Sequence, residues 1–193
     1  FELDLSTIRL LPHRPGTALI QCDLSLEHGG PVRVSPRAIL RAQADRAAKH
    51  GFTALAGTEL EFVVFEDTYE DAWNAGYRDL TPANLYNVDY SILGSSRVEP
   101  LLRDIRNLMY AAGLDVESAK GECNFGQHEI AFKYAEAMTT ADNHTVYKTS
   151  AKDIASQRGK SITFMAKPSE REGNSCHVHM SLRGPGGEIV FWK

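Results

Sequence analysis

The residues Glu59 and Glu61 stand one residue apart in the apolar segment 58–65. Side chains alternate between the two faces of a strand, so the two carboxylates share a face, with Cα atoms roughly 6.5–7 Å apart. Neighbouring carboxylates repel unless a positive charge, usually a metal ion, lies beside them. A metal-binding strand and an edge strand with a solvated acidic face both fit this pattern.

A second acidic pair, Glu122 and Glu129, lies on either side of Gly126. A turn held by glycine can bring both carboxylates back to one point, and Glu129 opens an alternating strand. The alternative is a loop with exposed acids. His128 is predicted to lie on the surface or behind a site rather than to bind a metal.

A third segment carries His177, His179 and Ser181 at every second position. In a strand these three side chains share one face. Two histidines at this spacing can hold a metal or bind a phosphate. The alternative is a pair of partly exposed histidines in a sheet.

Together, four glutamates and two histidines on strand faces fit a binuclear site for hard cations. Carboxylates favour Mg²⁺ or Mn²⁺, and Mn²⁺ tolerates an imidazole ligand. The sequence has no thiolate cluster, which argues against structural zinc. Two hard cations among carboxylates suit phosphate chemistry, because they bridge phosphate oxygens and neutralise their charge.

Strands and helices that could position these residues alternate along the chain, so the fold class is mixed α and β. Glycine-containing hairpins predict that part of the sheet is antiparallel. Residues 66–96 are predicted to form a long ordered loop with little regular structure. The predicted strands are 17–22, 58–65, 114–117, 129–134, 161–166 and 176–182. The predicted helices are 36–50 (with Ser35 as its N-cap), 99–112 and 135–158, and a hairpin turn is predicted at 184–187.

Composition restricts the class of protein further. Hydrophobic residues make up 42% and charged residues 24%, and the net charge is -4. These values are typical of a globular protein and argue against a nucleic-acid partner. No apolar run is long enough for a membrane span. The three cysteines lie far apart, which favours a reducing, cytoplasmic setting. A chain that starts without Met is interpreted as a fragment of a longer protein.

The three motifs, in this order, resemble those of the glutamine synthetase family. The family's catalytic domain has a Glu-x-Glu strand, a Glu…Gly-Gln-x-Glu segment and a His-x-His-x-Ser strand. The resemblance covers about residues 17–193. It implies an α+β fold in which 1–35 end an N-terminal β-grasp domain. Residues 36–193 would then form the first half of the catalytic α/β domain, a curved antiparallel sheet with helices.

The resemblance also implies a ligand set for two Mg²⁺ or Mn²⁺ ions. Glu61, Glu122 and Glu129 would hold the ion beside the substrate glutamate. Glu59 and His177 would hold the ion beside the phosphates of ATP.

Nucleotide contacts are implied in the same way. His179 and Ser181 would contact ATP or its transferring phosphate. Glu117 matches a position that contacts the ribose, and Tyr134 matches one that lies by the adenine.

The reaction implied by the resemblance has two steps. ATP first phosphorylates the γ-carboxylate of glutamate, and an amine then attacks the acyl phosphate. Glu61, Glu122 and His179 would be the catalytic residues, with a carboxylate accepting the proton of the amine. Gly173 would lie beside the substrate glutamate, and Tyr90 would line the amine pocket.

Two differences from the family's usual motifs affect which amine is expected as the substrate. Glu172 precedes Gly173 where the glutamine-forming bacterial enzymes have Asn, and the middle motif is one residue shorter. These features resemble the branch of γ-glutamylpolyamine and γ-glutamyl-amide ligases, so an organic amine is expected, with ammonia as the alternative. A metal-dependent hydrolase and a non-catalytic relative are the less favoured readings.

Assembly is also implied by the resemblance alone. A homo-oligomer, in the form of a dodecameric double ring, is expected. Other family residues would lie outside 1–193, so this stretch by itself is expected not to turn over.

Overall fold

The computed structural model describes residues 1–191, which form helices and strands. Contacts between Cα atoms divide the chain into two compact units. The first unit comprises Phe1–Thr58, Tyr134–Val146 and residues 178–191, and the second comprises Glu59–Lys133 and Tyr147–His177.

The strands and helices follow one another along the whole chain. The strands are β1 (Glu2–Leu3), β2 (Arg9–Leu10), β3 (Ala18–Leu19), β4 (Cys22–Asp23), β5 (Thr53–Phe65), β6 (Val116–Gly121), β7 (Gln127–Phe132), β8 (Ala135–Glu136), β9 (Ser161–Thr163) and β10 (Cys176–Arg183). The helices are α1 (Pro36–Lys49), α2 (Tyr69–Asn74), α3 (Ile92–Ser96), α4 (Glu99–Ala111) and α5 (Ala137–Gln157).

The main sheet has six strands and is centred on β5. Its strand order is β10-β5-β7-β6, and β8 and β9 also pair with β5. The pairings of β5 with β7, β8 and β9 are antiparallel, as is the pairing of β6 with β7. The predicted class, mixed α and β with an antiparallel sheet, is confirmed. The proposed domain boundary at residue 35 stays a prediction.

The core of the second unit follows from alternation along β5. Leu60, Phe62 and Val64 are 4%, 0% and 0% exposed, which confirms that the face opposite the glutamates is apolar. The ring of Phe62 lies 5.4 Å from that of Phe164, which in turn lies 5.8 Å from Tyr147. Burial of such aromatic surface supplies much of the driving force for folding.

The three long helices were predicted within two residues at each end. The backbone of Ser35 is extended before Pro36, as expected for an N-cap, but its side chain makes no capping hydrogen bond. Pro36 has no N–H that would need an acceptor at the first helical position, and its fixed φ favours the start of α1 there.

The prediction of little regular structure in residues 66–96 missed two short helices. This segment contains α2 and α3. Thr68 accepts a hydrogen bond from the backbone of Asp71 and donates its own N–H to the Asp71 carboxylate, which is a capping box. The Thr-x-x-Asp pattern at 68–71 could therefore have predicted the start of α2. It was overlooked because the whole segment is rich in polar residues.

Strand boundaries also differ from those predicted. The segment 17–22 contributes to two short strands, β3 and β4, and β9 ends three residues before the predicted 166. The strands after Gly113 and before Tyr134 are β6 and β7. They extend toward each other because the Glu122 N–H donates to the Gln127 carbonyl at 2.9 Å and closes the hairpin between them. None of the helices within residues 1–191 combines the length and apolar character needed to cross a bilayer.

One arginine ties the first unit together. The guanidinium of Arg37 donates to Asp4 and Asp23 at 2.7 Å and to Asp142 at 3.0 Å. Its side chain is only 14% exposed. Because the three acids come from the N-terminal segment, β4 and α5, this group of contacts joins distant parts of the chain to α1.

We expect Arg37→Met to lower the free energy of unfolding by about 3 kcal/mol, because three carboxylates would lose the mostly buried cation that they share. Arg41→Met is the matched control, since Arg41 contacts Asp4 and Asp23 but is 45% exposed, and it should cost about 0.5 kcal/mol. Urea unfolding measures both. Equal losses would contradict this account of Arg37.

His128 lies wholly inside the second unit. It is 0% exposed, and its Nε2 lies 3.3 Å from the Asn84 carboxamide oxygen. The surface location considered for it is therefore wrong. Burial lowers the pKa of His128 from 6.5 to about 4, against a smaller opposing effect of a backbone hydrogen bond.

This pKa predicts how stability depends on pH. Between pH 6.5 and about 4 the unfolded chain binds a proton that the folded His128 does not, so stability falls as the pH falls through this window. Above pH 6.5 the imidazole is neutral in both states. The loss for this group is about 3 kcal/mol. His128→Gln should remove this part of the pH dependence in urea titrations without metal, and an unchanged slope would contradict the assignment.

Candidate metal centre

Three glutamates of the second unit converge. One carboxylate oxygen from each of Glu61, Glu122 and Glu129 lies within 4.8 Å of the others. We call these three residues the triglutamate cluster. The first and second sequence motifs are therefore brought together, as predicted.

Sheet register places two members of the cluster. Glu61 lies directly opposite Glu129 in the antiparallel pair of β5 and β7, and Lys120 lies opposite Glu129 in the pair of β6 and β7. Residues directly opposite each other on adjacent strands point to the same face. Three adjacent strands thus direct charged side chains to one place.

The turn between β6 and β7 places the third member, Glu122. Gly126 has φ +67°, and a Cβ atom there would lie 2.5 Å from the Val64 carbonyl oxygen. Only glycine fits so close an approach in this left-handed conformation. The turn returns the chain so that Glu122 and Glu129 meet, as their spacing around Gly126 predicted.

Neighbouring donors hold the carboxylate of Glu61 in one orientation. Gln127 Nε2 donates to its Oε2 at 2.8 Å, and the Ser175 N–H donates to the same oxygen at 3.0 Å. The Ser175 hydroxyl donates to Oε1. Such contacts behind a ligand fix its geometry and tune its affinity for an ion.

Gln127 and Ser175 were not identified from the sequence. Gln127 is 1% exposed, and its Oε1 accepts the Asn124 N–H at 2.9 Å. Alternation was the available signal for Gln127, because it shares a strand face with Glu129 two residues later. Ser175 gave no comparable signal, because it contacts Glu61 across 114 residues of chain.

The electrostatics of the cluster favour a bound cation. Burial raises the pKa of Glu129, Lys120 opposes this, and the charges of Glu122, Glu59 and Glu61 raise it further. Glu129 is only 6% exposed. A buried carboxylate among other carboxylates is stabilised in its charged form by a positive ion.

One positive side chain reaches the cluster from β6. Lys120 forms an ion pair with Glu122, its Nζ lies 3.8 Å from Asp89 Oδ1, and it stands 4.6 Å above the centre of the Tyr90 ring. Partial burial would lower the pKa of Lys120, but the hydrogen bond and charge of Glu122, with the charge of Glu129, raise it overall. The sequence gave no reason to single out this lysine.

The donor set fits a hard divalent ion. Three carboxylates carry three negative charges, and Lys120 offsets one of them. Mg²⁺ and Mn²⁺ prefer such oxygen ligands, and their charge would relieve the remaining repulsion. Glu61, Glu122 and Glu129 are the residues that would hold the ion.

The residues expected to hold a second ion lie outside the triglutamate cluster. Glu59 stands two residues before Glu61 on β5, and its charge acts on Glu129. His177 is exposed on β10. A shared ion between Glu59 and His177 stays a prediction.

The residues expected to contact the nucleotide are distributed over both units. His179 and Ser181 follow His177 along β10, in the first unit. Tyr134, which comes two residues after β7, belongs to the first unit and is 60% exposed. Glu117 belongs to the second unit and lies in a bulge of β6, where it is exposed. Their nucleotide roles stay predictions.

The two residues expected at the glutamate and amine lie in the second unit. The Gly173 carbonyl accepts from Gln127 at 2.9 Å, and a Cβ atom at Gly173 would lie 2.4 Å from the Ala166 carbonyl oxygen. Tyr90 has φ +53°, and its ring lies beneath Lys120. Both residues are therefore connected to the triglutamate cluster by a single intervening side chain.

Comparison with known proteins gives the family. Residues 33–193 match the family described as glutamine synthetase, catalytic domain. The chain belongs to the glutamine synthetase family.

Particular relatives are similar over almost the whole chain. The gamma-glutamylethanolamide synthetase GlnA4 of Streptomyces coelicolor is 65% identical over 184 residues, which cover 95% of this chain and 40% of that protein. The glutamate–isopropylamine ligase of a Pseudomonas species is 36% identical over 189 residues, which cover 97% of this chain and 41% of that protein. The solved GmaS/ADP complex in conformation 1 has a TM-score of 0.88 at 27% sequence identity. The match covers 99% of this chain and 43% of that structure's chain. The chain thus spans about two fifths of the length of these curated relatives.

We expect Ser175→Ala to weaken Mn²⁺ binding by about tenfold, because one donor that orients Glu61 is lost while the backbone donor remains. Ser118→Ala on the exposed part of β6 is the control and should leave the affinity unchanged. Titration followed by electron paramagnetic resonance measures free Mn²⁺ directly. Equal affinity in the two variants would contradict the role given to Ser175.

Proposed function

We propose that the protein at its natural length is an ATP-dependent ligase that joins the γ-carboxyl group of glutamate to a small organic amine. The observation that carries this proposal is the triglutamate cluster, held by hydrogen bonds within a glutamine synthetase catalytic domain. A carboxylate is a poor electrophile at neutral pH, so its activation as γ-glutamyl phosphate meets a chemical need.

The metal ligands divide into two sets in this proposal. Glu61, Glu122 and Glu129 hold one ion beside glutamate, and Glu59 and His177 hold another beside ATP. When bound, Mg²⁺ or Mn²⁺ at these positions neutralises the charge of the phosphates and of the substrate carboxylate. The cluster's own task is to keep its oxygens in a fixed geometry.

Tyr90 is proposed to line the amine pocket, next to the side chains that already hold the ammonium of Lys120. Asp89, Tyr90 and Glu122 together contact one ammonium group, that of Lys120. Two carboxylates and an aromatic face are the groups that recognise a protonated amine. Glu122 is the candidate acceptor for the proton that the amine loses before it attacks.

The remaining roles follow the family pattern. His179 and Ser181 contact ATP or its transferring phosphate, Glu117 the ribose and Tyr134 the adenine, while Gly173 lies beside glutamate. A cytoplasmic homo-oligomer with a double ring of twelve subunits completes the proposal.

The choice of amine rests on the relatives. The S. coelicolor protein, at 65% identity, is a gamma-glutamylethanolamide synthetase, and proteins at 36% and 34% are isopropylamine and methylamine ligases. The replacement of the expected Asn by Glu172 agrees with an organic amine. Ethanolamine is therefore the leading candidate. Ammonia is the second candidate, because the Thermus thermophilus glutamine synthetase is 38% identical over 189 residues.

A coupled assay of ADP release tests the proposal with ATP, Mg²⁺, glutamate and one amine at a time. The amines are ethanolamine, isopropylamine, methylamine, putrescine, spermine and ammonium. We expect the largest kcat/KM with ethanolamine. The largest value with ammonium would support glutamine synthesis instead, and no ADP release with any amine would contradict a ligase.

A variant of the same protein links this activity to the cluster. Glu129→Gln keeps the shape of the side chain but removes its charge, so kcat/KM should fall by about a hundredfold or more. Glu70→Gln, on the exposed first turn of α2, should have wild-type activity. Full activity of Glu129→Gln would exclude the cluster from catalysis.

A further inference from the structure

Lys120 brings a positive charge to the place where the divalent ion is proposed to bind. Its ammonium forms an ion pair with Glu122, and the two side chains are only 25% and 13% exposed. Lys120 also lies directly opposite Glu129 on the neighbouring strand. One cation therefore faces two of the three members of the triglutamate cluster.

The charges explain why this lysine matters to both states of the site. Without an ion, Lys120 offsets one of three negative charges, and so it reduces the repulsion among the carboxylates. A divalent ion at the same carboxylates brings two further positive charges close to the Lys120 ammonium. Like charges a few ångströms apart in a partly buried site repel strongly. Lys120 is favourable in the empty cluster and unfavourable in the filled one.

The same ammonium has two further partners besides Glu122. Asp89 Oδ1 is 3.8 Å from Lys120 Nζ, and the Tyr90 ring centre is 4.6 Å away. Lys120 can therefore release Glu122 and stay paired with a carboxylate and an aromatic face. Exchange of the ion pair for an ion–carboxylate bond leaves no buried charge without a partner.

We propose that Lys120 is a positioning residue that acts as an internal counter-ion, holding Glu122 in the ion-free protein and giving up this contact when a divalent ion binds. This inference rests on the proposed metal site. Its consequence is that Lys120 weakens ion binding while it stabilises the empty site. A lysine with a purely structural role would support both the fold and the ion, so the two accounts predict opposite changes in affinity.

The test is Lys120→Met in the protein at its natural length, since Met keeps an apolar stem but has no charge. Mn²⁺ affinity is measured by electron paramagnetic resonance, and Tm is measured in a chelator. We expect Mn²⁺ to bind about tenfold more tightly and the ion-free Tm to fall by about 4 °C. Lys120→Arg restores the charge and should return both values toward wild type.

Two controls locate the effect. Lys133→Met removes an exposed lysine that follows β7, four residues or about 13 Å beyond Glu129, and should change neither value. In the Glu122→Gln background, Lys120→Met should give a smaller gain in affinity than in the wild type, because the contact that Lys120 gives up is already absent.

The possible results separate the two proposals. Unchanged or weaker Mn²⁺ binding by Lys120→Met, with wild-type protein binding Mn²⁺ normally, would overturn the counter-ion role and leave the metal site standing. Wild-type protein that binds no Mn²⁺, or that binds it as well after Glu129→Gln, would overturn the metal site and the counter-ion role together.

Discussion

Mutual repulsion among three carboxylates is the constraint on which the second unit is built. Glu61, Glu122 and Glu129 approach within 4.8 Å of one another in a partly buried position, where unpaired charges are costly. The surrounding structure offsets this cost in two ways. Gln127 and Ser175 donate hydrogen bonds to Glu61, and Lys120 pairs with Glu122. Neither removes the excess negative charge, and that excess is the property that makes the site suitable for a hard divalent ion.

Strand register determines whether the cluster forms. A shift of β7 by one residue against β5 would turn Glu129 to the opposite face, because side chains alternate along a strand. The apolar face of the sheet opposes such a shift, since it would turn the buried Ile130, which lies opposite Leu60, away from the core. The close approach of Gly126 to Val64 fixes the turn as well. Packing and hydrogen bonding on one face of the sheet therefore specify the geometry of the chemistry on the other.

Much of this arrangement was predictable from the sequence, and the missing parts have identifiable reasons. Period-two alternation placed Glu61 and Glu129 on strands. Gly126 between Glu122 and Glu129 predicted that these two acids would converge. The long helices followed from their apolar spacing. Lys120 and Ser175 could not be found in this way, because their roles depend on contacts between distant segments rather than on local pattern. The helices α2 and α3 are five or six residues long, too short for periodicity to separate them from a polar loop.

The proposed metal site, the ligase activity and the role of Lys120 all require that the triglutamate cluster holds a divalent ion. A crystal of the protein at its natural length, grown with Mn²⁺ and ATP and measured at the manganese absorption edge, tests it most directly. We expect a manganese ion, seen as an anomalous peak, bonded to one oxygen from each of Glu61, Glu122 and Glu129, with the Lys120 ammonium no longer on Glu122. Manganese located elsewhere, with the three carboxylates free of it, would contradict the account.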